Sequence, residues 1–314
     1  MRNSAKFFAY KSKTKKVLFG LNGSDGIVLR LGIYALLIGI GFVYLNPIIS
    51  MISYSFKSLD DLLNPLVNYI PTALHTENYE KASEVLNFFP TLLQTLAVTV
   101  IPSIIQTCSA AMVGYGFARF NFPFKKVLFV FVLITFIIPP QVLAIPRYVF
   151  FYDLNILGSI HSYSLLALFV QGFNSAIFVL IFYQFFKSIP KALEEAAQLD
   201  GAGHFKIFFK IAVPMAVPAF IISFLFSFVW YWNETFTAAL YFGDALTTLP
   251  LQLERFAATF EKMFASNASG SGSSINEAIK MAGTMLSILP LLIVYFITQR
   301  WFVEGVDRSG ITGE

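Results

Sequence analysis

"EEAAQLDGAGHFKIFFKIAVPMAVP", residues 194–218, lies between the apolar run Leu165–Phe186 and the apolar run Ile221–Trp232. It carries two adjacent glutamates, an Asp-Gly turn, a histidine and two lysines. Flanks this greasy on either side of a charged hairpin describe a chain that leaves a bilayer and returns to it. Composition agrees: the chain is 56% hydrophobic and 13% charged, with 36 Phe and a mean hydropathy of +0.68. Water-soluble domains carry about 25% charged residues.

A membrane-spanning helix needs roughly 20 residues, so 314 residues leave room for several. Spans are predicted near 28–53, 88–113, 127–146, 160–185, 215–243 and 281–299. Each is apolar all round instead of along one stripe, as expected where lipid and neighbouring helices share the faces. None alternates with the period of two that a membrane barrel requires. The expected fold class is an all-α polytopic membrane protein with six transmembrane helices spanning 28–300, between a basic N-terminal tail (1–27) and a C-terminal tail (301–314).

The basic leader with Arg2, Lys6, Lys11, Lys13, Lys15 and Lys16 resembles the start of a signal peptide. The apolar run that follows is longer than a signal core and has no small-x-small cleavage site, so it reads as a retained anchor. With an inner N-terminus, the inner segments 1–30, 114–126, 186–214 and 300–314 hold 16 of the 22 Lys and Arg and 7 of the 18 acids. The basic excess predicts both termini and the loop 186–214 on the cytoplasmic side of a bacterial-type cell membrane. No basic-aromatic module argues for nucleic acid.

Several chemistries are not supported. Cys108 stands alone, and His75, His161 and His204 are scattered, so no metal site is expected. There is no H-E-x-x-H and no Ser/His/Asp set at one membrane depth, so no catalytic residue is assigned. The dipeptide Gly-Lys never occurs, which removes a phosphate-cradling loop and with it any ATPase. An ion-coupled carrier needs ionisable groups within its spans, and only Glu234 is placed in one. What remains is a pathway without an engine: a passive solute channel, a membrane scaffold, or a pathway that borrows work from a partner.

The opening stretch is where work would be borrowed. Ala192, Ala196 and Ala197 around Glu194 and Glu195 favour a helix over Leu193–Leu199. Asp200-Gly201 should end it, because glycine takes a left-handed cap without steric cost. A second helix over His204–Val213 carries Phe205, Ile207, Phe208, Phe209 and Ile211 to pack on the bundle. The product is a pair of short helices with an acidic, small-residue tip. It fits a groove in another protein; the other reading, an amphipathic helix in the headgroup layer, favours Lys and Arg where this chain has paired Glu. On the opposite face, two long loops, 54–87 and 244–280, either dock an external partner or cover helix ends. The second includes the Gly/Ser segment 265–274 and a sequon at Asn267, a short motif that also arises by chance.

These residues carry a resemblance. Glu195-Ala196-Ala197, Gly201, Ile211 and Val213-Pro214 match the spacing of the "EAA" loop of ABC importer permeases, with Val213 where the family usually has Leu. "SIPKALEEAAQLDGAG" (188–203), "ENY" (77–79), "GYGFARFNFPFKK" (114–126), "IIPPQVLAIPRY" (137–148), "WNET" (232–235) and "QRWFVEGV" (299–306) are similar to the carbohydrate branch, and to the second, six-span permease of maltose-type systems. The resemblance covers residue 28 to the C-terminus. It implies a type I permease fold and a heterodimer with a second homologous permease. It also implies two separate ATP-binding subunits that hold the ATP and Mg, and an extracytoplasmic solute-binding protein delivering a sugar or oligosaccharide. This chain itself would bind no cofactor. ATP-driven closure of the partner ATPases would pull the loops 186–214 together and switch the cavity's access. In maltose-type relatives the tail reaches between the ATPases; "DRSGITGE" departs from the usual "GxVKG" pattern there.

The coupling residues that follow are Glu194, Glu195, Ala196, Ala197, Asp200 and Gly201. Pro139 and Pro140 break a helix at membrane depth, as a gate or hinge or as a static kink. Trp230, Trp232, Asn233 and Glu234, next to Tyr231, combine aromatic faces with an amide and a carboxylate. They suit either a sugar or an interfacial aromatic belt. Gln171 and Asn174, read as mid-span in the fourth helix, line a pathway or bond between helices.

Overall fold

The computed structural model describes residues 26–264 and 275–308, with side chains described through residue 300. Most of the expected tail 1–27, the segment 265–274 with Asn267, and the end of the tail 301–314 lie outside the described residues. No strand occurs among the described residues, and the all-α class holds.

The first helix, α1 (Ile27–Ser55), is apolar around its whole circumference and has none of its most apolar stretch buried within the chain. After a short turn of helix, Leu59–Leu63, the chain forms α2 (Glu77–Leu86). Asn87, in the left-handed conformation, links it to the long α3 (Phe88–Arg119). The 54–87 segment is therefore a folded unit. The Lys57 ammonium, 1% exposed, donates to the carbonyls of Val67 and Asn68, each at 2.7 Å, and lies over the Tyr54 ring. Asn78 Nδ2 donates to the carbonyls of Ser55 and Lys57.

Helix α3 forms the spine of the bundle. Its buried Thr95, Thr99, Ser103 and Thr107 recur every four residues and so share one face, and each hydroxyl donates to the carbonyl four residues back at 2.6–2.7 Å. A polar stripe can be buried here because the helix satisfies it internally. Gln94 Oε1 and Thr95 Oγ1 also accept from the amides of Thr247 and Leu249, tying the 244–254 segment to α3.

The later spans are broken. α4 (Lys125–Ile137) and α5 (Pro140–Asp153) meet at 99° across Ile138-Pro139. Proline excludes the helical conformation from the residue before it, and Ile138 is extended with ψ 118°. The break expected at Pro139-Pro140 is present. The fourth span, expected as one helix over 160–185, is instead α6 (His161–Leu168) and α7 (Ser175–Ser188), separated by residues 169–174. Val170 and Asn174 there have φ of 58° and 52°, which no helix tolerates.

Beyond α7, the chain bends by 70° into α8 (Lys191–Leu199). It continues through His204–Ile207, a π-helical turn Phe208–Ala212 and Val213–Met215 into α9 (Val217–Asn233). The short α10 (Phe236–Phe242) follows, so the predicted span 215–243 is also interrupted, at Glu234-Thr235. Leu249–Glu254 and Phe256–Phe264 fold the second long loop, and α11 (Glu277–Arg308) packs beside α1, α2 and α9. Among the described residues, three helices are long and apolar enough to cross a membrane alone; counting each bent pair as one span brings the number up to six.

Candidate functional site

At one end of the bundle, local sequence dictates the loop 186–214 as two helices at an angle. Pro190 forces Ile189 into an extended conformation (ψ 129°) and starts α8. Gly201 ends it with φ +78°; its amide donates to the Gln198 carbonyl and that of Ala202 to the Ala197 carbonyl, both at 2.9 Å. This is the paired Schellman cap that glycine makes possible. No atom lies within 4 Å of where a Cβ would stand on Gly201, so only its backbone conformation requires glycine.

The loop is fixed to the spine by Arg119, the last residue of α3. Its Nη2 donates to the Ile189 carbonyl at 2.7 Å, and its Nε lies 2.8 Å from Glu194 Oε1. The two side chains are 6% and 12% exposed, and their contact is an ion pair without an aligned hydrogen bond. Phe208 packs into the aromatic cluster of Tyr115 and Phe186 behind them. Of the residues expected to couple, Glu194 therefore faces inward, whereas Glu195, Ala196 and Asp200 are exposed and Ala197 is half-buried. Leu199, 90% exposed, stands one turn from Glu195 on α8, and Phe205 and Phe209 are exposed on the segment that follows. Ile207 and Phe208, by contrast, are buried as expected.

A second constellation sits in the elbow of the 99° bend. Thr135, Pro140, Arg147, Gln171, Asn174 and Ser175 line a pocket against the 169–174 break. Gln171 and Asn174 thus occupy the break and not the middle of a helix. The break is held by Gln106 Nε2 donating to the Phe173 carbonyl at 2.7 Å and Arg147 Nη2 donating to the Gln171 carbonyl at 3.2 Å. A methyl group on Gly172 would collide with Gln106 Oε1 and the Tyr231 hydroxyl, so glycine is needed there for space. Those two buried oxygens have no hydrogen-bond partner. Val170, a β-branched residue at positive φ, is strained, and such strain persists where surrounding structure imposes it.

The 230–234 residues do not gather into one site. Trp230 packs on Phe178 and Phe226. Trp232, 2% exposed, lies in a cluster with Phe228, Leu249 and Phe256 and offers no free face. Asn233 Nδ2 donates to the Val229 carbonyl. Glu234 lies in the break between α9 and α10 and accepts the Thr237 amide at 2.8 Å, capping α10. Sequence reading missed Arg119, Arg147 and the hydroxyl stripe. The stripe was visible as Thr or Ser at positions 91, 95, 99, 103 and 107, a strict four-residue repeat.

Residues 110–308 match the family model described as binding-protein-dependent transport system inner membrane component. A probable starch degradation products permease of Thermoanaerobacterium thermosulfurigenes is 27% identical over 273 residues, covering 87% of this chain and 93% of the relative. A polygalacturonan/rhamnogalacturonan transport permease of Bacillus subtilis is 29% identical, covering 90% and 97%. A maltodextrin transport permease of Streptococcus pneumoniae is 28% identical, covering 89% and 94%. In three dimensions, the chain superposes on a chain of a bacterial ABC transporter that imports the acidic polysaccharide alginate. The TM-score is 0.71 and the identity 22%, with 90% of this chain and all of that one covered. At that identity the likeness is one of fold.

Proposed function

This chain belongs to the family of binding-protein-dependent transport system inner membrane components, and on that premise we propose that it is the permease subunit of an ATP-driven carbohydrate importer. It is a multi-pass membrane protein and a transport subunit, not an enzyme. The observation that carries the reading is the loop 186–214: a capped two-helix projection anchored through Arg119, with Glu195, Leu199, Phe205 and Phe209 exposed. A helix hairpin lying in lipid would not need a buried ion pair to orient it; a lever transmitting force to a partner would. The starch, polygalacturonan and maltodextrin systems named for its relatives support a sugar or oligosaccharide as solute.

In this reading the loop is cytoplasmic, as are both termini, in keeping with the basic excess of the inner segments. It docks into one of two ATP-binding subunits, which hold the ATP and Mg. A second, homologous permease completes the pathway. The folded segments 54–87 and 244–264 receive an extracytoplasmic solute-binding protein, and α1 owes its unburied apolar surface to lipid and to the second permease. Gln171 and Asn174 line the pathway at the Pro139-Pro140 elbow, which serves as its hinge. Glu194, Ala196, Ala197, Asp200 and Gly201 shape the coupling helix that presents Glu195.

The test is accumulation. Membrane vesicles from cells expressing the whole system should concentrate a labelled oligosaccharide against its gradient only when ATP is inside. Equilibration without ATP would support a passive channel and contradict the proposal.

A further inference from the structure

The elbow pocket is lined by one charged side chain, Arg147, which is in no ion pair among the described residues. Pro140, Leu143 and Arg147 are spaced i, i+3 and i+7 along α5, so they share the face turned into the pocket. The Arg147 guanidinium spends one N–H on the Gln171 carbonyl. Among the described residues no carboxylate lies within ion-pair distance of it. Asp153 is six residues further along α5, on the other side of the helix, and Glu234 is committed to the Thr237 amide. A guanidinium has five donors in a planar fork matched to a carboxylate. The remaining lining is neutral: Thr135, Gln171, Asn174 and Ser175 offer hydrogen bonds, and Phe136 and Phe173 offer ring faces. An unpaired cation in a transmembrane bundle is costly unless it faces water, a partner or a ligand.

We propose that this pocket is a carboxylate-reading subsite and that the solute is an acidic saccharide built of uronic acid units, with Arg147 as the residue that reads the charge. The proposal rests on the importer reading above and narrows its substrate class. Hydroxyls of the sugar meet Gln171, Asn174 and Thr135, its apolar ring face meets Phe136 or Phe173, and its carboxylate takes the free edge of the guanidinium in a bidentate pair. A neutral saccharide fits the same lining but leaves the charge unanswered. Gly172 keeps the break close enough to Gln106 and Tyr231 for Gln171 and Asn174 to keep their places.

The experiment compares uptake of labelled trigalacturonate and its methyl ester by cells carrying the whole system, after subtraction of a strain lacking this chain. Wild type should take up the acid, and Arg147→Gln should lower that uptake roughly 10- to 100-fold, the worth of a charge-assisted hydrogen bond, while lowering uptake of the ester, through the lost bond to the Gln171 carbonyl, by a clearly smaller factor. Arg147→Lys, which keeps the charge but not the fork, should fall between. Equal losses for acid and ester in Arg147→Gln would leave Arg147 only its structural hold on the Gln171 carbonyl, with no part in reading charge, and would overturn the proposal. Uptake by wild type of maltotriose but not of trigalacturonate would overturn the acidic class and leave the carbohydrate importer standing. Failure to take up any saccharide would remove the importer reading itself.

Discussion

Arg119 and Glu194 stand 75 positions apart in the sequence and meet at 2.8 Å, joining the end of the longest buried helix to the first turn of the projecting one. Through this pair, any displacement of α8 acts on α3, and α3 carries Gln106, which holds the carbonyl of Phe173 in the lining of the elbow pocket. The two candidate sites therefore share one helix as their common support.

Removing one partner of a pair so nearly excluded from water leaves a buried charge alone, at a cost of about 3–5 kcal/mol. Arg119→Ala and Glu194→Ala should each lower the thermal midpoint of the detergent-solubilised protein and loosen residues 186–200 in hydrogen exchange. The exchange Arg119→Glu with Glu194→Arg should recover part of the loss. Independent, additive effects of the two single substitutions would show that the pair does not hold the loop.

Gly201 is required for its backbone and not for space. Gly201→Asn should thus be tolerated better than Gly201→Val, since asparagine visits the left-handed region and a β-branched residue does so at a cost of about 1–2 kcal/mol. Comparable protease resistance of the loop in the two variants would contradict this.

Glu234→Gln keeps an acceptor for the Thr237 amide, whereas Glu234→Leu removes the cap, worth about 1 kcal/mol. Uptake should be impaired more by Leu than by Gln. Leu variants that transport as well as wild type would exclude Glu234 from both capping and pathway roles.

Asp61 lies in the 54–87 segment, where hydrogen bonding from the Thr72 hydroxyl holds its carboxyl below the usual carboxylate value, with the Thr72 and Ser58 backbone amides and the His75 charge adding to it and desolvation opposing. A lowered folded pKa means the stabilisation is present above the unfolded value of about 3.9 and is lost as pH falls through the folded one. Exchange protection of the Thr72 amide should hold at neutral pH and fall below pH ~4. Asp61→Asn should abolish the pH dependence; protection unaltered by acid in the wild type would remove Asp61 as its source.

Sidedness can be read with thiol reagents in a Cys108→Ser background. Cysteine at Gln198 should resist an impermeant reagent in intact cells, and cysteine at the exposed Leu66 should react; the opposite pattern would invert the topology.

Much of this was legible in the chain. Asp200-Gly201 after an alanine-rich helix announced its cap, and Pro139-Pro140 announced the 99° bend, because both depend on backbone chemistry of one or two residues. The break at 169–174 was hidden: Gln171, Gly172 and Asn174 are too few among Phe169, Val170 and Phe173 to end an apolar run, and the close contact of Gly172 with Gln106 and Tyr231 comes from distant helices. The same holds for Glu194, whose orientation is set by a residue 75 positions away, and for Trp232, whose aromatic character suited a sugar or a membrane boundary, whereas packing against Phe228 and Leu249 places it in the core. Lys57 would pass for a solvated charge; two carbonyls of its own loop bury it.

The central claim is that loop 186–214 passes work from an ATPase to the pathway, and solute-stimulated ATP hydrolysis by the complete complex in liposomes measures it most directly. Glu195→Ala and Gly201→Val should insert and assemble at wild-type levels yet lose the stimulation. Full stimulation in both variants would contradict the account.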